Sequence, residues 1–154
     1  MQEIETKALL KTTMGDILIR LDNDMPITSG NFQKLIESGF YNGTIFHRVI
    51  NGFMTQGGDP TSTGSGGPGY FIKDEFIDHN SNDRGTISMA NAGPNTGGSQ
   101  FFINLVDNHY LNKVHPVFGK VIEGMNVVDN IGKVRTDAKD RPLKRVEIIG
   151  AKIV

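Results

Sequence analysis

The sequence predicts a mainly β fold, an antiparallel barrel with two helices packed against it, and three observations predict it. Short segments rich in Ile, Val and Phe alternate apolar and polar residues with the period of a half-buried strand. Two stretches instead carry helical spacing. Glycine is abundant, 19 of 154 residues against a usual ~7%, and it crowds into Gly52–Gly69 and Gly85–Gly98, between the apolar segments. That distribution marks shaped loops on a strand scaffold rather than a flexible linker. Closure into a barrel removes the exposed edges that an open sheet would have to protect.

The elements follow in order. From Ile17 to Asp22, the apolar Ile17, Ile19 and Leu21 alternate with Arg20 and Asp22, and Met14-Gly15-Asp16 reads as a turn joining this strand to Ala8–Lys11 in an opening hairpin. After Pro26, Phe32, Leu35, Ile36 and Phe40 recur at steps of three and four. This predicts a short amphipathic helix, capped by Thr28 or Ser29 and stopped by a left-handed Gly39. A second helix is expected over Glu123–Ile131, with Met125, Val128 and Ile131 on one side and Gly132 just beyond, although Val127 and Val128 would also suit a strand. In the closing segment, Val146–Val154, the apolar set changes face partway along, and a bulge near Ile149 and Gly150 reconciles the halves. Met14, Met25, Met89 and Met125 read as core or helix-face residues. No repeat and no linker divides the chain, so residues 1–154 read as one domain.

Composition narrows the function. A chain of this size hides roughly 70% of its unfolded surface and can support one core without staples. Lys+Arg 16 against Asp+Glu 17 gives a formal net charge of -1, with no run of one sign, which argues against nucleic acid as a main partner. The absence of cysteine removes disulfides, thiolate nucleophiles and zinc–thiolate sites together. Met1–Lys7 has no apolar core and is unlike a secretory signal, and no stretch reaches membrane-spanning length. The expectation is a cytoplasmic monomer.

Two segments combine apolar side chains, glycines and a few polar groups. The first, Phe46–Asp59, reads FHRVINGFMTQGGD. As a strand, Phe46–Ile50 places His47 and Val49 on one face and Phe46, Arg48 and Ile50 on the other. An arginine among bulky apolar neighbours is the anomaly, and its bland explanation is a snorkelling or ion-paired side chain at a strand edge. The second, Ser88–Ile103, reads SMANAGPNTGGSQFFI. Its small side chains leave main-chain donors and acceptors within reach of a peptide laid alongside, before Phe101, Phe102 and Ile103 re-enter a strand. The four histidines, His47, His79, His109 and His115, lack the paired spacing of a metal site. His47 reads as a structural strand residue, and His79 and His109 as loop residues. Gly64-Ser65-Gly66-Gly67 lacks the Gly-Lys-Ser/Thr and the helix of a phosphate loop, and reads as a shaped loop beside a groove.

Together with Val117-Phe118-Gly119, these two segments resemble the signature blocks of the cyclophilin family of prolyl isomerases, over nearly the whole chain. The brief Glu37–Gly43 connection is similar to the compact members common in prokaryotes. The resemblance implies a closed eight-stranded antiparallel β-barrel capped by two α-helices, with a packed interior and the substrate lying along one outer face. Position by position it implies that Arg48 is the catalytic arginine, and that Phe53, Met54, Phe102 and Leu111 receive the proline ring. It also implies that Gln56 and Gln100 are polar groups beside that pocket, that Ala90, Asn91 and Ala92 pair with the substrate backbone, and that His115 stands at the rim. Gln56 and Gln100 could equally satisfy buried main-chain groups.

The implied partners are proline-containing peptides and unfolded or folding proteins, with no cofactor and no metal. Rotation of an X-Pro bond makes and breaks no covalent bond, so no nucleophile or base is called for. One departure stands out: Tyr110 occupies the pocket edge where many members carry tryptophan. The expectation is that isomerisation survives while affinity for the macrocycle cyclosporin, a ligand of the family, is reduced. A non-catalytic adaptor or chaperone using the same groove is the competing function, and it could dispense with Arg48. Preference for the residue before proline would come from the loops Thr61–Tyr70 and Asp78–Gly85.

Overall fold

The computed structural model describes residues 5–154; residues 1–4, part of the N-terminal stretch read as unlike a signal, lie outside them. Eight strands run β1 (Thr6–Thr12), β2 (Gly15–Leu21), β3 (Arg48–Ile50), β4 (Met54–Gly57), β5 (Thr86–Met89), β6 (Phe101–Asn104), β7 (Val117–Glu123) and β8 (Ile148–Ile153). Helix α1 (Pro26–Glu37) follows β2, helix α2 (Met125–Gly132) follows β7, and a 3-10 turn covers His109–Leu111. All eight strands join one antiparallel sheet in the order β3-β4-β6-β5-β7-β2-β1-β8. The ladder does not continue from β3 round to β8. Those two ends approach through an isolated bridge of Ile45 with Glu147 and main-chain bonds from Gly43 N to Ile148 O (2.8 Å), Ile148 N to Thr44 O (2.8 Å) and Phe46 N to Val146 O (3.0 Å). The sheet is therefore strongly curled, and the expected ladder-closed barrel is not drawn by its hydrogen bonds.

Local patterns place most elements. The opening hairpin pairs Thr12 with Gly15, so its tip is Thr13-Met14, one residue earlier than the expected turn. Met14 consequently stands exposed rather than in the core. Helix α1 starts on Pro26, whose missing N–H costs nothing at a first turn. Neither expected cap residue caps it. Ser29 Oγ donates to Asp22 O (2.8 Å) and Phe118 O (3.1 Å), while Glu75 Oε1 accepts from Thr28 N (2.7 Å) and Thr28 Oγ1 (2.8 Å), a carboxylate brought to the first turn from a distant loop. At the other end Gly39 does adopt a left-handed φ of 77°. Gly39 N reaches Ile36 O and Phe40 N reaches Leu35 O, both at 3.0 Å, the paired bonds of a Schellman stop. The expected bulge is present as well: β1 pairs Lys11 with Gly150 and Thr12 with Ile148, leaving Ile149 unpaired and exposed.

Phe32, on the buried face of α1, packs its ring against Tyr41, Phe101 and Phe118 at centroid distances of 5.2, 5.5 and 5.1 Å. Val49, Ile87, Ile103, Ile19 and Leu10 fill the same core from the sheet. The inner face is thus packed with side chains, and any ligand must use the outer one.

Candidate functional site

Strand register decides which outer-face side chains meet. Arg48 lies opposite Gln56, Gln56 opposite Phe102, and Phe102 opposite Ser88, so one row crosses β3, β4, β6 and β5. The next row, Val49, Thr55, Ile103 and Ile87, points into the core. This alternation is the period-two geometry of a sheet. Phe46 departs from the expected pattern. The strand begins only at Arg48, and Phe46 is fully buried in the core rather than sharing the arginine's face.

Arg48, Phe53, Met54, Gln56, Ala90, Asn91, Phe102, Leu111 and His115 line one hollow of about 180 Å³, smaller than the ~300 Å³ at which drug-sized ligands begin to fit. An adjoining cleft of about 690 Å³ shares Gln56, Ala90 and Asn91 and adds Ala92 and Gln100. Tyr110 lines neither, but its exposed ring stacks on Phe53 with centroids 6.4 Å apart and planes at 18°. Arg48 is exposed and makes no ion pair and no side-chain hydrogen bond among the described residues. Of the bland explanation, the ion-paired arginine does not hold among the described residues, whereas an exposed side chain on an edge strand still fits the snorkelling one.

The polar groups have assigned partners. Gln56 Nε2 donates to Gln100 Oε1 (2.9 Å), and Gln100 Nε2 donates to Gly64 O and Gly66 O (both 3.0 Å), which ties the glycine loop to the sheet. Beneath that loop the buried Asp59 carboxylate accepts from Thr61 N (2.8 Å), Thr61 Oγ1 (2.8 Å), Gly64 N (2.6 Å) and Gly66 N (3.2 Å). Burial alone would raise its pKa, but these donors together outweigh burial and hold it below the usual carboxylate value. His115 Nδ1 meets Met89 O at 3.0 Å, and since a carbonyl only accepts, Nδ1 carries the proton. Its ring stands edge-on to Phe102, 5.2 Å between centroids. Burial lowers the pKa of His115, partly offset by the Met89 bond, and burial likewise lowers that of His47, whose Nδ1 has no partner.

Asn91 Nδ2 donates to Val114 O (2.7 Å) and its Oδ1 accepts from Gly93 N (3.2 Å), which fixes the loop, while its main-chain N–H and C=O take no partner among the described residues.

Sequence reasoning missed an asparagine network behind the hollow. Asn104 Nδ2 donates to Asn82 Oδ1 (3.1 Å) and Thr86 Oγ1 (3.0 Å), and Asn108 Nδ2 donates to Asn104 Oδ1 (2.9 Å) and Phe53 O (3.1 Å). Asn112 Oδ1 accepts from Asn82 N (2.7 Å), and Ser88 Oγ donates to Asn82 Oδ1 (2.5 Å). These bonds anchor the segment that carries Tyr110 and Leu111 to the strand that carries Phe102. Four asparagines, each unremarkable in its own stretch, left no signal until the fold brought them together. The same applies to Asp83, Asp107 and His109, whose ligand atoms lie within 4.8 Å of one another at the surface. There His109 Nε2 pairs with Asp83 Oδ1 (2.7 Å) and Asp107 Oδ1 accepts Arg84 N (2.8 Å). His79 Nε2 pairs with Asp24 Oδ2 at 2.6 Å.

A packed, curled sheet thus carries, on its outer face, an arginine without an ion pair among the described residues, set in a hollow of mixed apolar and polar lining with an open main-chain edge beside it. The chain belongs to the cyclophilin-type peptidyl-prolyl cis-trans isomerases: the family model described as "Cyclophilin type peptidyl-prolyl cis-trans isomerase/CLD" matches residues 6–153. It is 51% identical to peptidyl-prolyl cis-trans isomerase-like 3 of Dictyostelium discoideum, over 89% of this chain and 88% of that one. It is 47% identical to peptidyl-prolyl cis-trans isomerase ppi1 of Schizosaccharomyces pombe, over 92% and 95%. A crystal structure of a cyclophilin type isomerase of Cryptosporidium parvum superposes with a TM-score of 0.94 at 36% identity, covering 98% of each chain. A second crystal structure of that protein, in the presence of the dipeptide Ala-Pro, gives 0.93 at 37% identity, covering 96% of this chain and 98% of that one. Among the described residues no helix is long and apolar enough to cross a membrane.

Proposed function

We propose that this chain accelerates rotation about X-Pro bonds by holding the proline ring in the hollow of Phe53, Met54, Phe102 and Leu111 while Arg48 donates to the prolyl nitrogen. The observation that carries the reading is Arg48, which lines that hollow with no ion pair of its own among the described residues. Amide resonance opposes rotation with a barrier of ~18–20 kcal/mol. At the twisted transition state the prolyl nitrogen regains its lone pair, so a donor aimed at it stabilises the twisted state more than the planar one. An arginine holds its charge and keeps its donors in a rigid plane, and the apolar walls exclude water that would weaken the bond.

The free main-chain N–H and C=O of Asn91, between Ala90 and Ala92, are the groups that pair with the peptide backbone. Gln56 and Gln100 shape the polar side, and His115 closes the rim. The Ala-Pro dipeptide used with the Cryptosporidium protein supports proline-containing peptides, and by extension unfolded or folding proteins, as the substrates of this chain. Every group invoked comes from residues 1–154, so one domain acting as a monomer suffices, with no nucleic acid, membrane or cofactor. A chain without cysteine asks for no oxidising compartment, and this reading places it in the cytoplasm. The curled sheet acts as a barrel closed at the seam where residues 43–46 meet 146–148. Cyclosporin binds weakly, because Tyr110 offers its hydroxyl from a different place than an indole offers its N–H.

The test is an NMR exchange or protease-coupled assay on an Ala-Pro peptide. Arg48→Ala is expected to lower kcat/KM by at least ~10²-fold, the scale of one lost transition-state donor, with peptide affinity changed only a few-fold. Unchanged turnover would remove Arg48 from the mechanism and leave the adaptor reading, which is indifferent to a charge at that position.

A further inference from the structure

The chain contains two Asn-Gly pairs, Asn42-Gly43 and Asn51-Gly52, and the fold treats them differently. Glycine after asparagine leaves the following amide nitrogen unhindered, the requirement for its attack on the side-chain carbonyl carbon. All four residues are exposed, so solvent access does not separate the pairs. Hydrogen bonding does. Asn42 Oδ1 accepts from Ala151 N (3.1 Å), which ties the side chain to β8, and Gly43 N donates to Ile148 O (2.8 Å), which occupies the attacking nitrogen. Asn51 has no side-chain hydrogen bond and Gly52 N has no acceptor among the described residues. Asn51 and Gly52 are the two central residues of the turn closed by Phe53 N donating to Ile50 O (3.0 Å), with Gly52 at a φ of 76°.

We propose that Asn51 is a deamidation site built into the β3–β4 hairpin, and that its isoaspartate product impairs the peptide hollow. In the reaction Gly52 N bonds to Asn51 Cγ and the Cγ–Nδ2 bond breaks. The proton from Gly52 N passes to solvent, and the amide leaves as ammonia. Water then opens the resulting five-membered imide at one carbonyl or the other, giving aspartate or isoaspartate. Water is the only co-reactant and nothing is oxidised or reduced.

Isoaspartate routes the backbone through the side-chain carbon and lengthens the turn by one methylene. The next residue is Phe53, which lines the hollow, stacks on Tyr110, and whose carbonyl accepts from Leu105 N (3.0 Å) and Asn108 Nδ2 (3.1 Å). A longer turn cannot keep the Phe53 wall and the Arg48–Gln56 register together, because the bonds on both sides are already made. Aspartate, with the original backbone length, leaves the turn intact. The loss of activity rests on the isomerase reading of the hollow; the chemistry at Asn51 does not.

The full chain is aged in mildly alkaline buffer and mapped by mass spectrometry, with isoaspartate located by its methylation by an isoaspartyl methyltransferase. Asn51 is expected to deamidate roughly tenfold or more faster than Asn42, since reaction at Asn42 must first open two hydrogen bonds. In denaturant that bias should collapse. Asn42 reacting as fast as Asn51 in the folded chain, or a bias that persists in denaturant, would overturn the assignment. In the same samples isomerase activity should fall in proportion to the isoaspartate fraction, several-fold in fully converted chain, while Asn51→Gln aged alongside holds its activity. Aged wild-type chain rich in isoaspartate yet fully active would overturn the coupling to the hollow while leaving the isomerase reading to the Arg48→Ala test.

Discussion

Asp59→Ala removes the carboxylate that gathers the N–H and O–H donors of the Thr61–Gly66 loop, and its cost can be worked from the bonds it ends. The carboxylate is fully buried and accepts four hydrogen bonds, from Thr61 N, Thr61 Oγ1, Gly64 N and Gly66 N. Hydrogen bonds to a charged group contribute roughly 1.5–3 kcal/mol each. The sum is not lost, because Thr61 and Gly64 are exposed and their donors regain water once released. A net loss of about 3 kcal/mol follows, which lowers Tm by roughly 6–12 °C for a chain of this size. Asp59→Asn should fall near the alanine variant rather than the parent, since one end of an amide presents N–H groups to N–H donors.

The pH dependence has a definite sign. The folded-state pKa of Asp59 is depressed, so its contribution is complete above the unfolded value, ~3.9, and is lost as pH falls through the lower folded value. The gap between parent and variant therefore narrows in acid. Urea unfolding at neutral and acid pH measures it, and peptide KM should rise as Gln100 loses its anchors on Gly64 and Gly66. A variant within ~0.5 kcal/mol of the parent at neutral pH, or a gap that does not narrow in acid, would refute this account of the loop.

Other outcomes follow from the same geometry. Asn108→Ala leaves the buried Asn104 Oδ1 without a donor and Phe53 O with Leu105 N alone, and should cost about 1–3 kcal/mol in denaturant unfolding while lowering kcat/KM by loosening the Leu111 wall. Tyr110→Trp should leave isomerisation near the parent level and strengthen cyclosporin binding in calorimetric titration; unchanged affinity would show that Tyr110 does not set it. Burial lowers the pKa of both His47 and His115. Their contribution to stability is therefore present above the unfolded histidine value, ~6.5, and is lost as pH falls through their lower folded values. His47→Phe should flatten that decline in urea titrations, and an undiminished slope would show that His47 is not its source.

What could be read from residues alone was local. The Gly39 stop, the helix over Phe32, Leu35 and Ile36, and the bulge at Ile149 each depend on spacing or on one backbone angle, information held within a few neighbouring positions. Period two also puts Arg48 and Ile50 on one face, whatever lies beyond, and the motif around them carried the family. Tertiary structure decided the rest. The pairing of β4 with β6 seats Gln56 beside Phe102, and Glu75 rather than Thr28 or Ser29 serves the start of α1. Phe46 turns into the core because its neighbours bond to residues 146–148. Asn82, Asn104, Asn108 and Asn112 become one network only once their segments are packed together. Most such partners lie tens of residues apart, as Asn82 does from Asn104 and Asn112, and a hydrogen bond or a cavity wall depends on distances that spacing along the chain does not encode.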